Sequence, residues 1–72
     1  MAHLETSSTL DISFLRLPAV LAATALSKSS IYALMKTRDF PATVQLGPRV
    51  VGWVASEVQT WAADRVRARD AA

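Results

Sequence analysis

Apolar and polar positions alternate along this chain in blocks whose period changes from helical to strand-like and back. Phe14–Leu17 is apolar with Arg16 interrupting it. Pro18 follows where a first helical residue belongs, because the N–H that proline lacks would be unpaired there anyway. Residues 19–24 are Ala-rich, with Val20 and Leu21 to bury, which predicts a first helix over about residues 18–23. Ser27 opens a second helix, since its hydroxyl can accept from the N–H groups two and three residues on. Ile31, Leu34 and Met35 stand at i, i+3 and i+4, one face of a helix. At about 100° per residue the opposite face centres on Ser29, Ala33 and Lys36. Lys28 and Tyr32 lie on one shoulder, Ser30 and Thr37 on the other, and none of these outward residues is acidic. Only Thr24, Ala25 and Leu26 need separate the two helices, with Leu26 turned back to the core. Helix, tight turn and capped helix is the helix-turn-helix layout.

Pro41 stops any continuation, and the period then becomes two. Thr43-Val44-Gln45-Leu46 places Val44 and Leu46 on one face, Gly47-Pro48-Arg49 is turn chemistry, and Val50-Val51-Gly52-Trp53 is β-prone. Together they predict a β-hairpin with Arg49 near its tip. Ser56-Glu57-Val58-Gln59 has the form of a capping box. Val58, Trp61 and Ala62 then repeat at i, i+3 and i+4, predicting a third helix over about residues 56–66. A domain this short needs its aromatics inside, so Trp53 and Trp61 are expected in the core rather than stacked on bases.

The expected organisation is a flexible N-terminal tail over residues 1–13, one domain over 14–67 and a C-terminal tail over 68–72. The whole chain has 72 residues, enough for one small core. The fold class expected is mainly α with a small β-hairpin: three helices plus a wing.

Charge sharpens this picture. Between Phe14 and Val54 the basic residues are Arg16, Lys28, Lys36, Arg38 and Arg49, and the only acid is Asp39. Both flanks are nearly balanced, so the middle of the chain is a basic module suited to a polyanion. The apolar stretch 17–26 is ten residues long, whereas a bilayer needs about 20. Glu5 and Asp11 precede it with no Lys or Arg before Phe14, the reverse of a signal peptide. The expectation is a cytoplasmic protein without a membrane partner. Absence of cysteine excludes disulfides and thiolate metal ligands, which suits a reducing compartment.

Catalysis has little raw material. The single histidine, His3, stands in the expected tail, no serine is backed by a histidine, and Gly47 and Gly52 form no phosphate-cradling loop. No catalytic residue, metal, cofactor or small-molecule substrate is expected, and the chain is not read as an enzyme. Nucleic-acid binding has suitable material. Lys28 and Lys36 can neutralise phosphates or reach guanine, Ser29 and Ser30 can donate to phosphates or base edges, and Tyr32 can reach a phosphate or sugar. Arg49 at a hairpin tip can contact phosphate or a narrow minor groove.

Leu15-Arg16-Leu17-Pro18, then Leu26-Ser27-Lys28-Ser29-Ser30-Ile31-Tyr32, then Phe40-Pro41, Leu46-Gly47-Pro48-Arg49, Val51-Gly52-Trp53, Ser56-Glu57-Val58 and Trp61 stand in one order and spacing. In that combination the chain resembles the AlpA-like family of prophage regulators, over about residues 14–67. The resemblance implies a winged helix-turn-helix of the kind also found in MerR-type regulators and phage excisionases. It implies residues 27–36 as the recognition helix, with Lys28, Ser29, Ser30, Tyr32 and Lys36 facing DNA and Arg49 as the wing contact. This chain departs from the family pattern at several points. Ala25 stands where glycine is usual, so either the turn avoids a left-handed conformation or it carries strain. Arg38-Asp39 replaces the glycine common after the second helix. Ala33, Val50 and Val54 occupy positions that are often basic.

The function expected is a sequence-specific, DNA-binding transcriptional regulator of a prophage or integrated element, with double-stranded DNA as partner. A single module of this kind covers roughly 600–1,000 Å², so cooperative self-association on repeated sites is expected too. The first alternative is an excisionase that bends DNA for an integrase, using the same surface. The second is a small protein–protein adaptor working through the first and third helices.

Overall fold

The boundaries of the first two helices have local causes visible in the chain. The computed structural model describes residues 12–71. The expected tail over residues 1–13, with His3, therefore lies almost wholly outside the described residues, as does Ala72. The elements run β1 (Phe14–Leu15), α1 (Leu17–Thr24), α2 (Lys28–Lys36), β2 (Val44–Gly47), β3 (Val50–Val54) and α3 (Ala55–Ala71). This is the expected mainly helical architecture, a helix-turn-helix with a β wing.

Pro18 sits in the first turn of α1, behind an extended Arg16. Ala25 ends that helix in the left-handed region, at φ 62° and ψ 19°. Its N–H donates to the Leu21 carbonyl at 2.8 Å, the single bond of an αL helix ending. Thr24 Oγ1 donates to the Val20 carbonyl at 2.9 Å and accepts from the Leu26 N–H at 3.3 Å. The turn therefore takes the conformation glycine usually supplies, and the Cβ of Ala25 costs about 1–2 kcal/mol there. After residues 25–27 the chain enters α2 at 92° to α1, within the range of helix-turn-helix crossings. No single helix among the described residues is long and apolar enough to cross a membrane.

The sheet is larger than the sequence predicts. Beside the β2–β3 hairpin stands a third strand, β1, giving an antiparallel sheet in the order β1-β3-β2. Phe14 pairs with Val54 and Leu15 with Trp53. A two-residue strand shows no readable alternation, and its partner lies some forty residues away in sequence, so only the tertiary pairing defines it. On the other side Val44 pairs with Gly52, Gln45 with Val51 and Gly47 with Val50, with a bulge that leaves Leu46 unmatched. Arg49 closes the hairpin at φ 62° after Pro48, the order of residues a type II turn requires.

The third helix also differs. It starts directly from β3 at Ala55, whose N–H donates to the Ser13 carbonyl at 2.9 Å, so Ser56 lies inside the first turn rather than capping it. It continues to Ala71, five residues past the expected end at 66. Helix-favouring alanines and the i, i+3 ion pair between Arg67 and Asp64 support the extension.

The three helices, the central strand and the loop after α2 each contribute one side chain to the core. Val20 comes from α1, Ile31 from α2, Phe40 from the loop after α2, Trp53 from β3 and Val58 from α3. Leu26 in the turn packs against them, as the sequence predicts. Trp53 is buried, and Trp61 is half-buried against the same cluster. No charged or polar residue among the described ones is buried.

Candidate nucleic-acid interface

α2 owes its position to Ile31, which is fully buried, and to Leu34 and Met35, which pack beside it. That anchorage turns Lys28, Ser29, Ala33 and Lys36 outward, all exposed. Ser27 caps the helix as predicted, accepting from the Ser30 N–H at 3.2 Å. Its hydroxyl also donates to Ser30 Oγ at 3.0 Å and lies 3.4 Å from Ser29 Oγ. The three hydroxyls thus form one cluster at the positive end of the helix, with no acidic residue in the first turn. Nine residues make α2 about 13 Å long, and the major groove is about 12 Å wide.

Tyr32 is less free than the sequence implies. It is 38% exposed, and its ring lies 6.4 Å from that of Trp53, tilted by 60°. It therefore links α2 to the central strand of the wing. Arg49 is exposed at the far end of that strand, about 13 Å from Trp53 along an extended chain. The structure brings Lys28, Ser29, Tyr32 and Lys36 onto one side of α2. Ser30 is half-buried on the helix shoulder, and Arg49 stands apart on the hairpin.

Charge is sorted in space. Among the described residues the only ion pairs are Arg67–Asp64 and Arg69–Asp70, both on α3. Arg65 lies over the Trp61 ring, 5.5 Å from its centroid. Arg16, Lys28, Lys36, Arg38 and Arg49 form no ion pair there. The carboxylates of Asp39, Glu57 and Asp64 border an open groove between the loop after α2 and α3. Arg38 lines that groove rather than the outward side of α2. Among the described residues no cluster of His, Cys, Asp or Glu could hold a metal ion.

The loop joining α2 to the wing is fixed in two ways. Arg38, at φ 62°, donates its N–H to the Met35 carbonyl at 3.0 Å, and Asp39 donates to the Leu34 carbonyl at 2.8 Å. This pair of bonds is a Schellman ending, here built on arginine instead of glycine. Thr37 Oγ1 donates to Asp39 Oδ2 at 2.7 Å. Both indoles then hold the loop: Trp61 Nε1 donates to the Asp39 carbonyl at 2.6 Å, and Trp53 Nε1 to the Pro41 carbonyl at 3.1 Å. Phe40 lies between these two carbonyls, edge-on to Trp61 at 4.9 Å. The sequence marks both tryptophans as core, but nothing in it reveals these polar contacts.

Comparison with known proteins agrees with this geometry. The profile of the family described as prophage CP4-57 regulatory protein (AlpA) matches residues 13–66, most of the chain and nearly all of its folded part. The chain belongs to the AlpA family. The uncharacterised protein ORF88 of Enterobacteria phage P4 is 45% identical over 78% of this chain. The match spans 64% of that phage protein's length, a little under two thirds. The DNA-binding transcriptional activator AlpA of Escherichia coli K12 is 31% identical, with 78% of this chain and 89% of the activator covered. No solved structure matches the chain. The AlpA family is one of regulatory proteins, not an enzyme class. Both of its left-handed helix endings here, at Ala25 and Arg38, are made without glycine.

Proposed function

We propose that this AlpA-family chain is a DNA-binding transcriptional regulator of a prophage or integrated element, without catalytic activity. α2 is the recognition helix and enters the major groove, and the β2–β3 hairpin is a wing on the backbone. Residues 14–67 form the binding unit. The observation that carries this reading is the segregation of charge. The exposed basic side chains of α2 and the hairpin tip have no carboxylate partner among the described residues, while the ion pairs are on α3. A solvated helix in a small bundle needs no such sorting, whereas a polyanion partner does. The name of the E. coli relative supports the same class of partner.

In this reading Lys28, Lys36 and Arg49 anchor phosphates, and the Ser29 and Ser30 hydroxyls orient the helix and read base edges. Tyr32 reaches the backbone from the helix shoulder while bracing against Trp53. The protein acts in the cytoplasm, where its DNA is. The deciding experiment is a binding titration at about 150 mM salt, because electrostatic affinity depends steeply on ionic strength. The duplexes are the gene's upstream region, the element's attachment site and an unrelated control. Tight binding upstream supports a regulator, and tight binding at the attachment site makes the protein an excisionase. Equal weak binding to all three rejects sequence-specific recognition and leaves a protein–protein adaptor.

A further inference from the structure

Both tryptophans bring a donor as well as bulk to the same short segment. Residues 37–43 join α2 to the hairpin. Trp61 Nε1 donates to the Asp39 carbonyl there at 2.6 Å, and Trp53 Nε1 to the Pro41 carbonyl at 3.1 Å. A position that needs only apolar bulk is served by leucine or phenylalanine, which carry no polar atom; an indole suits a place where its N–H reaches a partner. Trp61 thus ties the segment to α3, and Trp53 ties it to β3, at whose far end stands Arg49.

Little else fixes the angle between α2 and the hairpin. α1 and α3 each run close to β3, whereas α2 comes comparably close to α1 alone. Apolar side chains of both parts meet in the core, but apolar burial is non-directional, and a hydrogen bond is directed. Arg38 opens the segment in the left-handed region, at φ 62°, which residues other than glycine seldom adopt. Asp39 follows and is held at both ends. Its N–H donates to the Leu34 carbonyl of α2 at 2.8 Å, and its carbonyl accepts from Trp61 of α3. One residue therefore joins the end of α2 to α3.

We infer that Trp61 is a positioning residue for DNA recognition. From α3, outside both the helix-turn-helix and the wing, it sets the angle of the hairpin to α2 and so brings Arg49 to the backbone while α2 lies in the major groove. The inference rests on the DNA-binding reading above and adds to it a residue that works without touching DNA. Trp61 lines the groove that Asp39, Glu57 and Asp64 border, and their carboxylates keep phosphate away. Its action passes through the Asp39 carbonyl. The length of the hairpin makes the angle matter. At about 13 Å from Trp53, a turn of about 10° moves Arg49 by roughly 2 Å, whereas a productive contact is held within about 0.5 Å.

The test removes the N–H and keeps the ring. A chain of 72 residues is short enough for chemical synthesis with 3-benzothienylalanine at residue 61, which has sulfur in place of the indole N–H. Trp61→Phe is the recombinant second variant. Ala63→Gly, at an exposed position of the same helix, loosens α3 without touching the bond and controls for destabilisation. A duplex is selected from a random library with the wild-type chain, and Arg49→Gly is then introduced into every background. In the wild-type and Ala63→Gly chains, Arg49→Gly is expected to lower affinity about tenfold, the worth of one charged hydrogen bond, and to flatten the salt slope by about one unit. In both chains without the Trp61 donor, affinity and slope are already lowered, and Arg49→Gly changes neither further. A Trp61 that only stabilises the fold leaves the Arg49 effect at full size in every background. That result, or no Arg49 effect in the wild-type chain, would overturn the proposal. Residual dipolar couplings of the backbone amides provide a DNA-free readout. α2 and the hairpin are each expected to keep their internal couplings, while the orientation between them changes only when the donor is lost. An unchanged orientation also overturns the proposal. Selection of no duplex at all defeats the DNA-binding reading instead, and the couplings then decide whether the Trp61 bond sets the angle.

Discussion

The Trp61 indole N–H and the Asp39 carbonyl, 22 residues apart in sequence, meet at 2.6 Å. This bond ties α3 to the loop that sets the angle between α2 and the hairpin. Trp61→Phe keeps an aromatic ring beside Phe40 while removing the donor and part of the indole's packing area. It is expected to leave a folded protein that has lost about 1 kcal/mol, measured by urea denaturation. Trp61→Ala also empties the space beside Phe40 and is expected to cost about 3–5 kcal/mol, unfolding most of the chain. Equal losses in the two variants would show that the donor and the lost indole area carry all of the effect.

Arg49 combines a positive φ with a proposed phosphate contact, so one substitution should move two readouts in opposite directions. Arg49→Gly removes the left-handed penalty of about 1–2 kcal/mol and adds chain entropy of about 0.5–1 kcal/mol. Thermal denaturation should therefore show a slightly more stable protein. Duplex affinity should fall, and the salt dependence of binding should flatten by about one unit. A stabilised variant with unchanged binding would remove Arg49 from the interface.

Ala25→Gly relieves the same kind of strain at an exposed position away from the proposed contacts. The expected gain is about 0.5–1 kcal/mol with DNA affinity unaltered, read from denaturant midpoints and the same titration.

Gly52→Ala probes the sheet rather than a turn. Its new Cβ would lie 3.0 Å from the Leu15 carbonyl oxygen, which is backbone and cannot step aside as Leu46 can. A loss of about 1–3 kcal/mol is expected from crowding, with β1 the first strand to release in hydrogen exchange.

Lys36→Ala tests the helix itself. If Lys36 holds a phosphate, the variant binds all duplexes more weakly by a similar factor, and the salt slope falls by about one unit. An unchanged slope assigns Lys36 to solvent.

Local chemistry wrote much of this fold into the sequence. Pro18, the Ser27 cap, the i, i+3, i+4 spacing of Ile31, Leu34 and Met35, and the Gly47-Pro48-Arg49 turn each act over a few residues, so their elements were legible in order and nearly in extent. The outward residues of α2 followed from the same periodicity. What the tertiary structure decided depends on residues distant in the chain. β1 exists because Phe14 and Leu15 meet Val54 and Trp53. Tyr32 is braced because Trp53 lies beside it, and the wing is held because two core tryptophans also carry N–H groups that reach the Asp39 and Pro41 carbonyls. Ala25 shows the same division at a single residue. Sequence alone left its conformation open, and only the packing of α1 against α2 could offset the cost of a left-handed alanine.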